Sequence, residues 1–205
     1  MKLTAKQLKQ IEERIALAEK KTSGEIVVTV VPQSGGYAWI WYAWGTLGAV
    51  TTTVVITVLS LTSWGFSALQ MVEWQILGTC VGLLLALIPA CRRLFVSKKV
   101  RASKVHRESL AAFVARGIVE TRDRTGILIY VSHFEHRVEI LADKGIHLKV
   151  GEDYWKQQTA EIVDGIHKGQ MTEALCHAVD EMGSRLAAFF PPRPGDTNEL
   201  PDKVQ

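Results

Sequence analysis

The run His133-Phe134-Glu135-His136 places two imidazoles around a carboxyl, side chains that bind metals, relay protons and hold anions. A zinc site would need a third or fourth ligand at suitable spacing, and the helical His-Glu-x-x-His arrangement is absent. His133, Glu135 and His136 are therefore taken as candidate binding residues, solvated in a turn, and no metal is assigned. His106, His147, His167 and His177 stand apart from one another and read as structural. Phosphoryl transfer needs a nucleophile or metal-activated water plus cationic stabilisation. Cys176 has no arginine loop after it, no Asp-x-Asp closes a strand, and no histidine precedes Arg-Gly. Asp143 closes the opposite end of its strand from Glu135, about 20 Å away for a strand of this length, and reads as a turn residue. No catalytic residue is assigned.

The elements that must position these side chains begin with Glu25-Ile26-Val27-Val28-Thr29-Val30-Val31, a β-branched run too continuous for a sheet face open to water. Ile127-Leu128-Ile129-Tyr130-Val131 repeats the pattern, again after a hydroxyl residue and a glycine. A helix between two buried strands favours parallel neighbours joined by a crossover. The short segment Ser132 to His136 then turns directly into a third, antiparallel strand, residues 137–142. Ligand crevices in open α/β sheets lie beyond the strands' carboxyl ends. Ser132, His133, Phe134, Glu135 and His136 belong at that end, facing a bilayer surface if the chain is membrane-tethered.

Four helical patterns surround the strands. Thr4 with Gln7 makes a capping box and Leu3 with Leu8 a hydrophobic staple, opening a helix whose stripe is Leu8, Ile11, Ile15 and Ala18. A second pattern carries Leu110, Phe113, Val114 and Gly117. A third, residues 152–168, carries Trp155, Thr159, Ile162, Val163 and Ile166. The last carries Met171, Leu175, Val179, Met182, Leu186 and Phe190, until Pro191-Pro192 stops it. Residues 191–205 are Pro-rich and polar and read as an extended arm.

Residues 38–90 contain one formally charged side chain, Glu73. Crossing a bilayer takes roughly 20 mostly apolar residues, and residues 44–63 and 72–90 each supply such a run. Trp39, Trp41, Trp44, Trp64 and Trp74 flank them, as amphipathic indoles do at headgroup level. Arg92, Arg93, Lys98, Lys99, Arg101, Lys104 and Arg107 follow the second span, so this side is cytoplasmic by the positive-inside rule. A hairpin returns the chain to the face it left. The expected location is the inner membrane with both termini cytoplasmic, and residues 1–21 lack the apolar core of a cleavable signal. Gly78, Gly82 and Ala86 place small side chains on one face of the second span, for packing against the first or for a homodimer.

With the hairpin removed, about 150 residues remain, enough for one compact domain. The expected division is residues 1–37 and 92–190 as two parts of one α/β domain, 38–91 as hairpin and 191–205 as arm. The net charge of +3 belongs largely to the run after the second span, which suits anionic lipid rather than nucleic acid. Cys80 and Cys91 lie about 16 Å apart along a helix and cannot bridge. With Cys176 they suit a reducing compartment.

Taken in order, Thr22-Ser23-Gly24-Glu25-Ile26-Val27-Val28, Thr125-Gly126-Ile127-Leu128-Ile129-Tyr130-Val131, Glu135-His136-Arg137-Val138-Glu139-Ile140 and Gly145 resemble the TPM domain family. That family is named for thylakoid-lumen, photosystem II repair and acetylcholine-receptor-modulating proteins. The tail Phe190-Pro191-Pro192-Arg193-Pro194-Gly195-Asp196 with Asn198-Glu199-Leu200-Pro201 is similar to that of bacterial members with an inserted membrane hairpin. The resemblance implies a three-layer α/β/α domain with a small mixed sheet. It also implies either assistance to membrane complexes or the acid phosphatase activity proposed for a plant member, and it admits a divalent cation such as calcium. Usual members follow a signal peptide and an Asn-Asp-x-Ala-like segment, and this sequence has neither. The expectation is a non-enzymatic accessory module acting on a membrane protein or lipid surface. A phosphatase and a structural membrane dimer are the alternatives.

Overall fold

Thr4 caps the first helix, α1 (Ala5–Glu19), with the reciprocal Thr4–Gln7 bonds of a capping box, and Ile11, Ile15 and Ala18 form its buried stripe. The computed structural model describes residues 3–62, 65–121, 124–192, 200 and 204, Leu148 in its backbone alone. They fall into two units, Met1–Ser34 with Ala102–Gln205, and Gly35–Arg101.

In the first unit, β1 (Glu25–Val31), β2 (Gly126–Ser132) and β3 (Arg137–Ala142) form one sheet in that order. β1 and β2 are parallel, with Glu25 opposite Gly126, and β2 and β3 are antiparallel, with Ser132 opposite Arg137. Every residue of β2 is buried, because alternation sends Ile127, Ile129 and Val131 to one covered face and Leu128 and Tyr130 to the other. Helices α1, α6 (Lys144–Val150), α7 (Glu152–His167) and α8 (Met171–Phe189) cover the first face. The helix α5 (Lys98–Ala115) and a 3₁₀ turn, Ile118–Glu120, cover the second. The fold is α/β, in three layers.

The hydroxyl–glycine pairs before β1 and β2 latch the sheet's opposite end. Glu25 N donates to Thr125 O at 3.1 Å and Thr125 Oγ1 to Ser23 O at 3.1 Å, while Thr22 Oγ1 donates to Phe190 O at 2.7 Å. Gly126 is required by close approach, since a Cβ there would lie 2.3 Å from Ile118 Cγ2 and 3.0 Å from Ile118 O.

Three sequence expectations are corrected. The turn expected at Asp143 is instead the start of α6: Asp143 Oδ1 accepts from Lys144 N at 2.6 Å, and Asp143 O from the amides of Ile146 and His147. The helix before β2 buries Val105, Ser109 and Phe113 and leaves Leu110 and Val114 exposed. Ser109 fits the tight i, i+4 stripe because its hydroxyl is satisfied inside the helix by His106 O at 2.9 Å. In the carboxyl-terminal arm, Val204 is buried against the core and its amide donates to Glu12 Oε1 at 3.2 Å, so that residue is core. Residues 193–199, 201–203 and 205 lie outside the described set.

In the second unit, α2 (Trp39–Leu61) and α3 (Ala68–Leu85) form the hairpin, followed by the short α4 (Pro89–Leu94). The second helix stops short of the expected Ala90 because Pro89 lacks an amide donor and its ring would clash with the carbonyl of Leu85. Ser67 and Gln70 cap α3 reciprocally; Ser63 and Trp64 lie outside the described residues. The two helices meet through glycines. A Cβ on Gly48 would lie 2.0 Å from Gly78 O, and one on Gly82 would lie 2.1 Å from Trp44 O. Ala86, just past α3, is fully buried.

Tyr154 on α7 gives an alkaline test of this packing. Its ring lies edge-on to Trp155 at 5.2 Å and under Arg185 at 5.6 Å, and its buried hydroxyl has no hydrogen-bond partner among the described residues. Burial pushes its phenol up to about 12, with Glu181 adding to the shift and Arg185 opposing it. An unfolded tyrosine titrates near pH 10 (~10). The folded pKa lies above the unfolded one, so this contribution is whole below the unfolded value and is lost as pH rises through the folded one. Tyr154→Phe is expected to leave urea stability at pH 7 unchanged and to make its decline shallower between roughly pH 10 and 12.

Candidate functional site

Past their paired residues, β1 and β2 run side by side into Pro32-Gln33-Ser34 and the turn His133–His136. His133 N donates to Val31 O at 3.0 Å and Phe134 N to Pro32 O at 2.9 Å, extending the parallel ladder into the turn. His136 closes the turn with φ +50°, the left-handed conformation that lets a four-residue connection rejoin β3.

Within this turn, neighbouring side chains part company. Glu135, expected to be solvated, is 2% exposed, and Phe134 is buried as well. The Glu135 carboxyl accepts from Ser34 N at 3.0 Å through Oε1 and from Ser132 Oγ through Oε2. Ser34 Oγ in turn donates to Ser132 Oγ at 2.7 Å and lies 3.2 Å from the Tyr130 hydroxyl. Ser34, Tyr130, Ser132 and Glu135 are all buried, forming one closed polar network across both strand ends. Burial raises the Tyr130 phenol above its ordinary value; the Ser34 hydrogen bond opposes this, Glu108 and Glu135 add to it, and Arg116 opposes it. Such a network fastens the strand ends together.

His133 and His136 take the other direction. Their rings lie 6.0 Å apart, and both line a cleft of about 240 Å³ together with Arg137, at the start of β3, and His167, at the end of α7. His167, read from sequence as structural, is brought to the same cleft as the turn because α7 packs along β3. No group of three or more His, Cys, Asp or Glu arranged to hold a metal occurs among the described residues. The cleft thus joins one guanidinium and three imidazoles to a largely apolar wall.

The other sequence candidates fall elsewhere. Gly78 and Gly82 are occupied in contact between α2 and α3. Cys176 is buried on α8, and burial raises its thiol above the ordinary value, away from nucleophilic use. His106 pairs with Glu139 across α5 and β3. Sequence reasoning missed Ser34, which sits in a Pro-Gln-Ser-Gly-Gly linker with no periodicity. It also missed Arg137, whose place at the first position of β3 beside two histidines was the available signal.

Glu135→Ala would leave the Ser34 amide and the Ser132 hydroxyl without their acceptor. A loss of roughly 2–3 kcal/mol is expected in urea unfolding of the detergent-solubilised chain. Ser132→Ala combined with Glu135→Ala should be non-additive by about 1 kcal/mol. Additive losses would mean the two side chains do not share a bond.

No family model matches the chain, and no curated protein does. Among solved structures, the NMR structure of BA42 protein from the psychrophilic bacterium Bizionia argentinensis is similar, with a TM-score of 0.61 at 21% identity over 100% of this chain and 95% of that one. At that identity the likeness is one of fold. It supports the α/β arrangement that the strand motifs suggest.

Proposed function

We propose that this chain is a membrane-anchored α/β module that binds and assists another membrane component, with the hairpin as its anchor. The observation that carries the reading is the surface of the hairpin. The most apolar 18-residue windows of α2 and α3 are only 11% and 6% buried, whereas core helices of a soluble protein would be mostly covered. Val54, Val58, Leu61, Ile76 and Leu84 all stand exposed, a surface that water penalises and hydrocarbon accepts.

The polar groups of the hairpin suit the same environment. Thr52, Thr53 and Thr57 each donate to the carbonyl four residues earlier, at 2.8, 2.9 and 2.8 Å. Gln75 Nε2 donates to Thr53 Oγ1 at 2.9 Å, joining the helices. Hydroxyls satisfied within a helix or across a pair cost little in lipid. The basic residues after the second span support a cytoplasmic side for both soluble segments, by the positive-inside rule. Binding rather than turnover is supported by the strand ends, where Ser132 and Glu135 engage each other.

A phosphatase is the second reading. Arg137 in the cleft is the kind of cationic group that stabilises a transferring phosphoryl group.

One preparation tests both. The protein should stay with membranes through an alkaline carbonate wash, co-purify in mild detergent with a specific membrane protein, and release no phosphate from a phosphoester panel with or without divalent cations. Release into the carbonate supernatant would overturn the anchor. Phosphate release that disappears in a folded Arg137→Gln variant would make the chain an enzyme.

A further inference from the structure

The cleft at the turn has a second property besides its imidazoles and guanidinium. Val131, Val138, Val163, Ile166 and Met171, with Ser132, supply the rest of its wall, so most of its lining is hydrocarbon. Among the described residues, no Asp or Glu lines it. The carboxyl nearest in sequence, Glu135, is held by Ser34 and Ser132 on the far side of the turn. Val131 belongs to the face covered by α7 and α8 and Tyr130 to the opposite one, and the turn carries the Glu135 carboxyl across to the Tyr130 side. Among the described residues, no carboxyl group forms an ion pair with Arg137.

A volume of about 240 Å³ lies below the ~300–1,000 Å³ usual for sites that bury a drug-sized ligand, which favours a small one. It matches a carboxylate carried on a short branched aliphatic body. The head would take charge-assisted bonds from Arg137 and the neighbouring imidazoles, and the body would displace water from Val163 and Ile166.

We propose that this cleft is a binding site for a short branched aliphatic carboxylate, held by Arg137, His133 and His167 at its charged end and by Val138, Val163, Ile166 and Met171 along its body. The inference goes beyond membrane anchoring and is read without any partner, so either can fail alone. The same chemistry is offered by a free short-chain acid and by the last residue of a peptide ending in leucine, isoleucine or valine.

The test is isothermal titration calorimetry of the detergent-solubilised full chain with 4-methylpentanoate, corrected against empty micelles. Saturable one-site binding is expected. It should weaken at least tenfold for the neutral 4-methylpentanamide, for acetate, which lacks the body, and for the Arg137→Gln variant. Val163→Thr, nearly isosteric, should weaken it several-fold, and Lys168→Gln, just outside the cleft, should leave it unchanged. Equal binding of the amide would remove the charge from the proposal. Equal binding of acetate or inorganic phosphate would remove the aliphatic body. Either result, an unaffected Arg137→Gln, or absence of binding overturns it. A pentapeptide with a free carboxyl-terminal leucine, compared with its amide in competition, assigns the source. Competition by the free peptide alone identifies a chain terminus, and its failure identifies the free acid.

Discussion

Parallel pairing of β1 with β2, buried on both faces, is the constraint from which the rest of the soluble unit follows. Seven consecutive residue pairs hold the register from Glu25–Gly126 to Val31–Ser132. A slip of one residue would exchange the two covered faces and strand Tyr130 and Thr29 among the isoleucines. With the register fixed, the carboxyl ends of both strands arrive together. Ser34 can then reach Ser132 and Glu135 across about a hundred residues of intervening chain. The hairpin and α5 both lie in that intervening chain. Loop closure grows slowly with length, by about 0.6 kcal/mol per doubling. A parallel crossover therefore accepts a long insertion where an antiparallel turn would not.

The turn itself divides its chemistry. Its backbone leaves the strand path, so the carboxyl of Glu135 folds back into the buried network while His133 lines the open cleft. A buried polar network is favourable only when its members are satisfied, and here each oxygen of Glu135 has a donor.

What could be read from sequence was what local rules decide. The capping box at Thr4, the three strands with their pairing, and the stripe along α8 depend on residues a few positions apart, and all were legible. The short helix after Asp143 was not, because an aspartate that ends a strand and one that caps a helix look alike over three residues. The buried face of α5 was misjudged because Leu110 and Val114 are more apolar than Ser109, yet Ser109 is small and satisfied by its own helix. The candidate site was half legible. His133 and His136 announce themselves, whereas the burial of Glu135 depends on Ser34 in a featureless linker. His167 joins them only through the packing of α7 on β3.

The hairpin and the cleft answer to different physics. In α2 and α3 the glycines bring backbones into contact and the hydroxyls bond within the pair, which leaves many aliphatic side chains on the helices' outward surface. The cleft draws its walls from one continuous stretch, from Val131 at the end of β2 to Met171 at the start of α8, none of it interrupted by the insertion. Its shape is set by the β2–β3 turn and by α7 lying along β3. The left-handed His136 places the start of β3 and Gly169, with φ +77°, starts the return from α7 into α8. Two local backbone reversals, each fixed by a single positive φ, thus bring Arg137 and His167 to the same opening.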